Sequence, residues 1–269
     1  MTITARELAY HDGETALTGV LAWDDAAGEP LPGLLLVHGG AGLDDHAKGQ
    51  ARRYAEHGYL VLACDMFGNG VAGNRERVIA CLTGLRDDPD RLVQRAQAGL
   101  TALAACAETD GRFAAVGFCF GGLTVLTLAR AGAALMGVVS MHGSLATVRP
   151  AEPGAVRARV LACHGALDPH VPMADVVGFA AEMDHAGADW QLIMYGGAVH
   201  GFTHEHAVPG AIPGVAYDEA ADRRSFQAAR TFLAEALTAG ARQRGDDAHQ
   251  AEQDHHDHGN DQERHDAGQ

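Results

Sequence analysis

Short apolar segments alternate with longer amphipathic segments along residues 1–240. Gly, Asp or His residues bound the short runs, which are too brief for helices, and this pattern is typical of buried strands. We predict strands of this kind at 34–37, 59–63, 113–116, 137–140, 159–163 and 190–194. Two earlier segments, near 3–10 and 16–23, are predicted to begin the sheet as an antiparallel pair.

Between these runs, apolar residues recur at helical spacing. In 45–57 they form one face of a helix, with Asp44 or Asp45 as its N-cap and Gly58 after its end. The same pattern predicts helices within 89–106, 121–131, 173–186 and 217–238. Strands that alternate with helices predict an α/β fold, in which a mostly parallel central sheet is flanked by helices on both faces.

Residues 241–269 differ sharply in composition from the rest of the chain. They hold eight acids, three Arg and five His, and none of the large apolar residues. Such a segment buries too little apolar surface to offset its ordering entropy, so we interpret it as a disordered acidic His-rich tail after a single domain at 1–240. Its cluster at 255–258, HHDH, has ligand types that suit a transition metal, but a solvated tail is the favoured interpretation.

Charge narrows the classes of partner. The chain has 269 residues, with 20 Lys+Arg against 35 Asp+Glu and a formal charge of −15. A surface this acidic repels phosphate backbones and anionic membranes, so neither nucleic acid nor a membrane is an expected partner. The remaining expectation is a small molecule. The sequence does not indicate an oligomeric state.

Targeting and cysteine content point to the cytoplasm. No apolar run approaches the roughly 18 residues that cross a bilayer, and charged residues stand where a signal peptide needs an apolar stretch. The five cysteines are odd in number, widely spaced and without a C-x-x-C pair, which predicts neither a disulfide framework nor a zinc knuckle.

The segment 113–122 carries the most informative motif. An apolar strand runs into Gly117-Phe-Cys119-Phe-Gly121 and then into a predicted helix, which is the strand–turn–helix context of a nucleophile elbow. The glycines permit the sharp turn, and the positive end of the helix dipole favours a thiolate at Cys119. The alternative is that Cys119 is only a small buried apolar residue in a glycine-rich turn.

Two further residues make a nucleophile the better interpretation. Asp168 follows the predicted strand 159–163, and His200 follows the strand 190–194. The order nucleophile, acid, histidine is that of α/β-hydrolases, and all three residues fall on loops at one edge of a parallel sheet. We predict that Cys119 is the nucleophile, His200 the base and Asp168 the acid that orients it.

A glycine-rich turn follows the strand 34–37. The backbone N–H groups of Gly39 and Gly40, together with that of Phe120, are predicted to form an oxyanion hole. The expected reaction is acyl transfer, in which the thiolate attacks an ester or lactone carbonyl, an acyl-thioester forms, and His200 activates water to release the product.

The sequence resembles the dienelactone hydrolase family, the cysteine branch of the α/β-hydrolases, over nearly all of 1–240. The resemblance rests on GFCFGG at 117–122, CHGALDPHVP at 163–172, YGGAVHGF at 195–202 and YDEAADRRS at 217–225. It implies a single-domain hydrolase of esters or lactones without a metal or an organic cofactor. It also implies that Cys119, Asp168 and His200 are the triad.

Two positions depart from the family pattern. A glutamate that helps control protonation of the cysteine stands in the family where this chain has Gly39. An arginine that grips the substrate carboxylate stands four residues after the histidine, where this chain has His204, and an imidazole does not replace a bidentate guanidinium. Arginines on the loop-rich side of the sheet are candidate replacements: Arg75, Arg77 and Arg86.

Three residues are candidates for substrate contact, namely His38, Phe202 and His204. Alternatively, His38 hydrogen-bonds the backbone of the glycine turn and Phe202 belongs to the core. Several histidines follow predicted strands, but no pair has the i, i+4 or H-x-H spacing typical of zinc, so no metal site is predicted in 1–240.

Two other functions are alternatives to ester hydrolysis. Class I glutamine amidotransferases share the G-x-C-x-G elbow, but they carry a glutamate two residues after the histidine, where this chain has Phe202. A degenerate hydrolase that binds a small ligand, or that senses oxidants through Cys119, is the second alternative. The presence of both Asp168 and His200 argues against it.

Overall fold

The computed structural model describes residues 2–69, 71, 73–207 and 210–238. The predicted tail at 241–269 lies outside the described residues, as do the last two residues of the predicted domain. The described residues form one eight-stranded sheet with the order β1-β2-β4-β3-β5-β6-β7-β8. The strands are β1 Ile3–Asp12, β2 Thr15–Asp24, β3 Leu31–Val37, β4 Leu60–Cys64, β5 Thr109–Phe118, β6 Gly137–Met141, β7 Arg159–Gly165 and β8 Trp190–Tyr195.

The sheet is parallel from β4 through β3 to β8, and β1 and β2 form the antiparallel pair at one edge. This confirms the predicted α/β-hydrolase architecture and its antiparallel start. The helices are α1 Asp45–Ala55, α2 Arg75–Arg86, α3 Pro89–Ala104, α4 Phe120–Arg130, α5 Met173–Ala186 and α6 at 219–238. Among the described residues, no helix has the length and apolar character needed to cross a membrane.

Alternate residues of the central strands face two separate cores. Leu35 and Val37 of β3 pack in the core shared with α2, α3, α4 and α5, whereas Leu34 and Leu36 pack in the core shared with α1 and α6. All four side chains are fully buried. Since both faces of these strands are covered by helices, the buried parts of the strands are almost continuously apolar, as the short apolar runs predicted.

One helix was not predicted. In α2 only Leu85 is fully buried, so the segment 75–86 has almost no apolar stripe for a sequence pattern to detect. Its N-terminus is marked by Asn74, whose side-chain oxygen accepts a hydrogen bond from the N–H of Arg77 at 3.1 Å.

The sequence allows either Asp44 or Asp45 as the N-cap of α1, and the structure shows that Asp44 is the cap. The carboxylate of Asp44 accepts a hydrogen bond from the N–H of Ala47 at 3.0 Å, while Asp45 is the first residue of the helix. The helix ends at Ala55, two residues before the predicted end, and Gly58 follows with a φ of 84°. Asp44 therefore has its backbone fixed at the carboxyl end of the sheet, beside the loops that follow β5 and β8.

Candidate active site

The turn between β5 and α4 holds Cys119 in a backbone conformation that L-residues rarely adopt, with φ 54° and ψ −110°. Such a conformation persists only where the surroundings enforce it. A Cβ on Gly117 would lie 2.0 Å from the carbonyl oxygen of Gly121, and a Cβ on Gly121 would lie 2.1 Å from that of Val37. The two glycines of the motif therefore allow the close backbone contacts that fix the turn.

The loops after β7 and β8 bring Asp168 and His200 to this turn. Nε2 of His200 lies 3.0 Å from Sγ of Cys119, and Nδ1 of His200 lies 2.8 Å from Oδ2 of Asp168. The other carboxylate oxygen of Asp168 accepts a hydrogen bond from the N–H of His170 at 2.8 Å. The structure thus joins the three residues that the sequence singled out into one hydrogen-bonded chain.

Electrostatics favour an ion pair between the cysteine and the histidine. Burial raises the pKa of the Cys119 thiol, but the hydrogen bond and charge of His200 outweigh burial and lower that pKa below its ordinary value. Burial lowers the pKa of His200, but Asp168 and Cys119 raise it to about 10. Both shifts favour a thiolate and an imidazolium over the neutral pair.

The glycine turn after β3 presents one amide to the cysteine. The backbone N–H groups of Phe120 and Gly40 both lower the pKa of Cys119, so both amides face its sulfur. The carbonyl oxygen of Gly39 accepts hydrogen bonds within its own turn, from Nδ1 of His38 at 2.7 Å and from the N–H of Gly42 at 3.2 Å. Two of the three predicted oxyanion-hole amides, those of Phe120 and Gly40, thus lie next to the sulfur of Cys119.

Two of the predicted substrate contacts lie away from the cavity. His38 is fully buried, and its Nε2 accepts a hydrogen bond from the N–H of Met66 at 3.2 Å while Nδ1 donates to Gly39. Phe202 is also fully buried and packs against Tyr195. The prediction of substrate contact is therefore corrected for both residues, because His38 holds the glycine turn and Phe202 belongs to the core, as their alternatives stated.

A cavity of about 430 Å³ opens beside Cys119 and is lined largely by small and apolar side chains. Five histidines also line it: His46, His142, His200, His204 and His206. Among the described residues, no group of three or more His, Cys, Asp or Glu side chains is arranged to hold a metal ion.

The cavity has no arginine or lysine among its described lining residues. The three arginines proposed as replacements for the family arginine, Arg75, Arg77 and Arg86, lie on α2 and do not line it. None of the three candidates therefore contributes to the described cavity lining. The described lining of this cavity therefore offers no guanidinium to a substrate carboxylate.

His204 does line the cavity, and it contacts the beginning of α1. Its Nε2 lies 3.6 Å from Oδ2 of Asp44, and its ring stacks on that of His46 at a centroid distance of 4.5 Å. The contact with the Asp44 carboxylate raises the pKa of His204. Burial, together with the charge of His204, lowers the pKa of His46 to about 4. Between a pH of about 4 and the raised pKa of His204, the ring of His204 is thus cationic while the ring of His46 is neutral.

His142 is a cavity residue that sequence reasoning left without a function. It follows β6 with a φ of 41°, is 2% exposed, and its ring centroid lies 5.4 Å from that of His200. Its Nε2 lies 2.8 Å from Oγ1 of Thr203. The signal that could have found it is its position directly after a buried strand of the parallel sheet, since such positions meet at the carboxyl edge.

Comparison with known proteins gives a consistent set of relatives. A sequence model of the Dienelactone hydrolase family matches residues 17–237. An uncharacterized protein of Caenorhabditis elegans is 34% identical over 158 residues, which cover 56% of this chain and 98% of that protein.

Two solved structures are similar over most of the chain. One is a dienelactone hydrolase-like promiscuous phosphotriesterase from metagenomic libraries, with 38% identity and a TM-score of 0.83 over 88% of this chain and 100% of that chain. The other, named m3DLH, has 38% identity and a TM-score of 0.82 over the same shares of the two chains.

Proposed function

Because this hydrolase belongs to the dienelactone hydrolase family, we propose that it cleaves carboxylic ester or lactone bonds with Cys119 as its nucleophile. The observation that carries the proposal is the position of His200, 3.0 Å from Cys119 and 2.8 Å from Asp168. A histidine held between a thiolate and a carboxylate is the arrangement that covalent acyl transfer requires.

In the first half of the reaction the thiolate of Cys119 attacks the carbonyl carbon of the ester. The carbonyl oxygen becomes an oxyanion, which accepts hydrogen bonds from the N–H groups of Phe120 and Gly40. The bond to the leaving oxygen then breaks, and His200 gives its Nε2 proton to that oxygen. An acyl-thioester and a neutral His200 remain.

In the second half His200 takes a proton from water, and the resulting hydroxide attacks the thioester. The same two amides hold the second oxyanion, and the carbon–sulfur bond breaks to release the acid. The thiolate and the imidazolium are thereby restored together. Asp168 keeps Nδ1 of His200 protonated throughout, so that Nε2 is the nitrogen that exchanges the proton.

The cavity favours uncharged substrates. It is lined mainly by small and apolar side chains, and no arginine or lysine is among the described lining residues. Asp44, whose pKa is below its ordinary value because the contact with His204 outweighs the effect of burial, adds a negative charge to the wall. An ester or lactone without a carboxylate fits this wall better than an anionic one, since a carboxylate here would lack a bidentate partner.

Mass spectrometry of the intact protein during turnover tests the proposal. With a panel of p-nitrophenyl esters and unsaturated lactones, we expect an acyl adduct that forms and decays in the wild type and is absent from Cys119→Ala. His200→Ala should abolish turnover. Absence of both adduct and turnover across the panel would contradict the proposal and favour a ligand-binding protein or a thiol sensor, which peroxide would oxidise stoichiometrically.

A second candidate activity is the hydrolysis of uncharged phosphotriesters. It is favoured by the 38% identity to a protein named a promiscuous phosphotriesterase and by the absence of arginine and lysine from the described cavity lining. The same mass measurement distinguishes it, because a dialkyl phosphotriester with a p-nitrophenyl leaving group would add a phosphoryl mass to Cys119 instead of an acyl mass. No phosphoryl adduct in the wild type would exclude this activity.

A further inference from the structure

One ring nitrogen of His142, a residue of the cavity wall, has no hydrogen-bond partner among the described residues. Its Nδ1 is buried and forms no hydrogen bond with the described residues, although the ring lines the cavity beside Cys119 and His200. A buried polar atom is normally paired, so an unpaired one at a cavity calls for a ligand atom. The left-handed backbone of His142, with a φ of 41°, is a second sign that the site holds this side chain in place.

The protonation of this nitrogen follows from its neighbours. Nε2 of His46 lies 3.1 Å from the carbonyl oxygen of Thr203, and because a carbonyl only accepts, that nitrogen must carry a proton. Oγ1 of Thr203 lies 3.4 Å from the same nitrogen and cannot donate to it. The acceptor left for the hydroxyl proton is Nε2 of His142, at 2.8 Å.

When the hydroxyl of Thr203 donates its proton to Nε2 of His142, the neutral ring carries its own proton on Nδ1. Burial lowers the pKa of His142 well below its ordinary value, and the charge of His200 lowers it further, so the ring does not become an imidazolium at neutral pH. The nitrogen without a partner is thus a neutral N–H donor. It stands 5.4 Å, ring centroid to ring centroid, from the histidine that moves the reaction's proton.

We propose that His142 donates a hydrogen bond from Nδ1 to a second oxygen of the bound substrate, and that Thr203 positions it by fixing its tautomer. This second oxygen is distinct from the carbonyl oxygen that the amides of Phe120 and Gly40 hold. It belongs either to the leaving group or to the acyl chain. The substrate named in this inference depends on the proposed ester hydrolysis, whereas the tautomer of His142 does not depend on it.

The tautomer is measured first, on the full-length protein labelled with nitrogen-15. Two- and three-bond proton–nitrogen spectra distinguish the two ring nitrogens, and the signals of His142 are those lost in His142→Asn. Asn is chosen because it tolerates a positive φ. We expect a protonated Nδ1 and an unprotonated Nε2 in the wild type and in Thr203→Ser, and loss of that preference in Thr203→Val. A protonated Nε2 in the wild type would overturn the proposal.

Kinetics then identify the substrate oxygen. The esters p-nitrophenyl methoxyacetate and p-nitrophenyl butanoate differ by one oxygen in place of a methylene, and the ratio of their kcat/KM values is compared between the wild type and His142→Asn. If the kcat/KM for the methoxyacetate divided by that for the butanoate falls about tenfold in the variant, Nδ1 donates to the ether oxygen of the acyl chain. An unchanged ratio, with kcat/KM lowered at least tenfold for both esters, places it on the leaving oxygen. An unchanged kcat/KM for both esters would overturn the proposal.

Two controls separate this result from other failures. The rate at which iodoacetamide alkylates Cys119 should stay the same in Thr203→Val as in the wild type, because the hydroxyl contacts neither Cys119 nor His200. If the wild type hydrolyses no ester, the proposed function fails, while the tautomer of His142 still decides whether Nδ1 is a donor. A His142→Asn variant that does not fold is replaced by Thr203→Val, which is expected to lower kcat/KM in the same direction.

Discussion

Nε2 of His200 lies within hydrogen-bond distance of Sγ of Cys119, at 3.0 Å, although no carboxylate stands at Gly39 beside the sulfur. The resemblance to the family led us to expect that loss of the glutamate at this position leaves thiolate formation to His200 and the helix. The geometry agrees with that expectation, because His200 and two backbone amides lower the pKa of Cys119 against the opposing effect of burial. These contacts favour the thiolate before a substrate binds.

Removal of His200 should raise the pKa of the Cys119 thiol to its ordinary value or above it. In His200→Gln the imidazolium is lost while burial remains, so the pKa of Cys119 rises and less thiolate exists at pH 7. We expect the rate of alkylation by iodoacetamide at pH 7 to fall about tenfold or more, since one pKa unit changes the thiolate fraction about tenfold. In the wild type the rate should change little from pH 7 to pH 9, because His200 has a pKa of about 10.

Cys119→Ala supplies the background for this measurement, because Cys81 is also partly exposed. A wild-type rate that rises about tenfold per pH unit between pH 7 and pH 8 would show an unperturbed thiol and contradict the ion pair.

Introduction of a carboxylate at position 39 should suppress the thiolate. A Cβ on Gly39 would lie 3.8 Å from Cβ of Cys119 and 3.6 Å from the carbonyl oxygen of Phe118, which is ordinary contact. The carboxylate of Gly39→Glu would therefore stand close to the sulfur, and its like charge would raise the pKa of Cys119. We expect alkylation at pH 7 to slow about tenfold in Gly39→Glu and much less in Gly39→Gln, which has the same shape without the charge. Equal slowing in both variants would indicate steric blockage instead.

The strands and the order of Cys119, Asp168 and His200 could be predicted from the sequence because they depend on local patterns. A short apolar run bounded by glycine predicts a strand wherever both faces of a sheet are covered. Residues that follow parallel strands meet at one edge, so their spatial proximity follows from chain order alone.

Other features depend on contacts between distant segments and could not be predicted. The tautomer of His142 is set by Thr203 and His46, which lie on a loop after β8 and on α1. The helix α2 has too few buried residues to give a periodic pattern. The backbone of Gly39 and Met66 fixes the orientation of the His38 ring, so His38 does not contact the cavity. A sequence pattern cannot predict such an orientation.

A methyl group at Gly121 should destabilise the protein. A Cβ there would lie 2.1 Å from the carbonyl oxygen of Val37, and a backbone atom cannot move aside as the end of a side chain can. We expect Gly121→Ala to lower the free energy of unfolding by about 3 kcal/mol, at the upper end of overpacking costs. Gly49→Ala is the control: it is helical, with nothing within 4 Å of its Cβ, and should gain about 0.5–1 kcal/mol. Urea unfolding measures both, and equal midpoints would contradict the argument.

The contact between His204 and Asp44 should give the cavity mouth a pH-dependent charge. Because Asp44 raises the pKa of His204, the stability that this contact adds is full below the unfolded pKa of about 6.5 and is lost as the pH rises through the folded pKa. Asp44→Asn removes the charge but leaves an oxygen to cap α1 through the N–H of Ala47. Nuclear magnetic resonance titration should then show a lower pKa for His204, and the difference in Tm between pH 5.5 and pH 8.5 should shrink. Asp45→Asn, which removes the neighbouring charge, is the matched control, and an equal fall of the His204 pKa in both variants would contradict the specific contact.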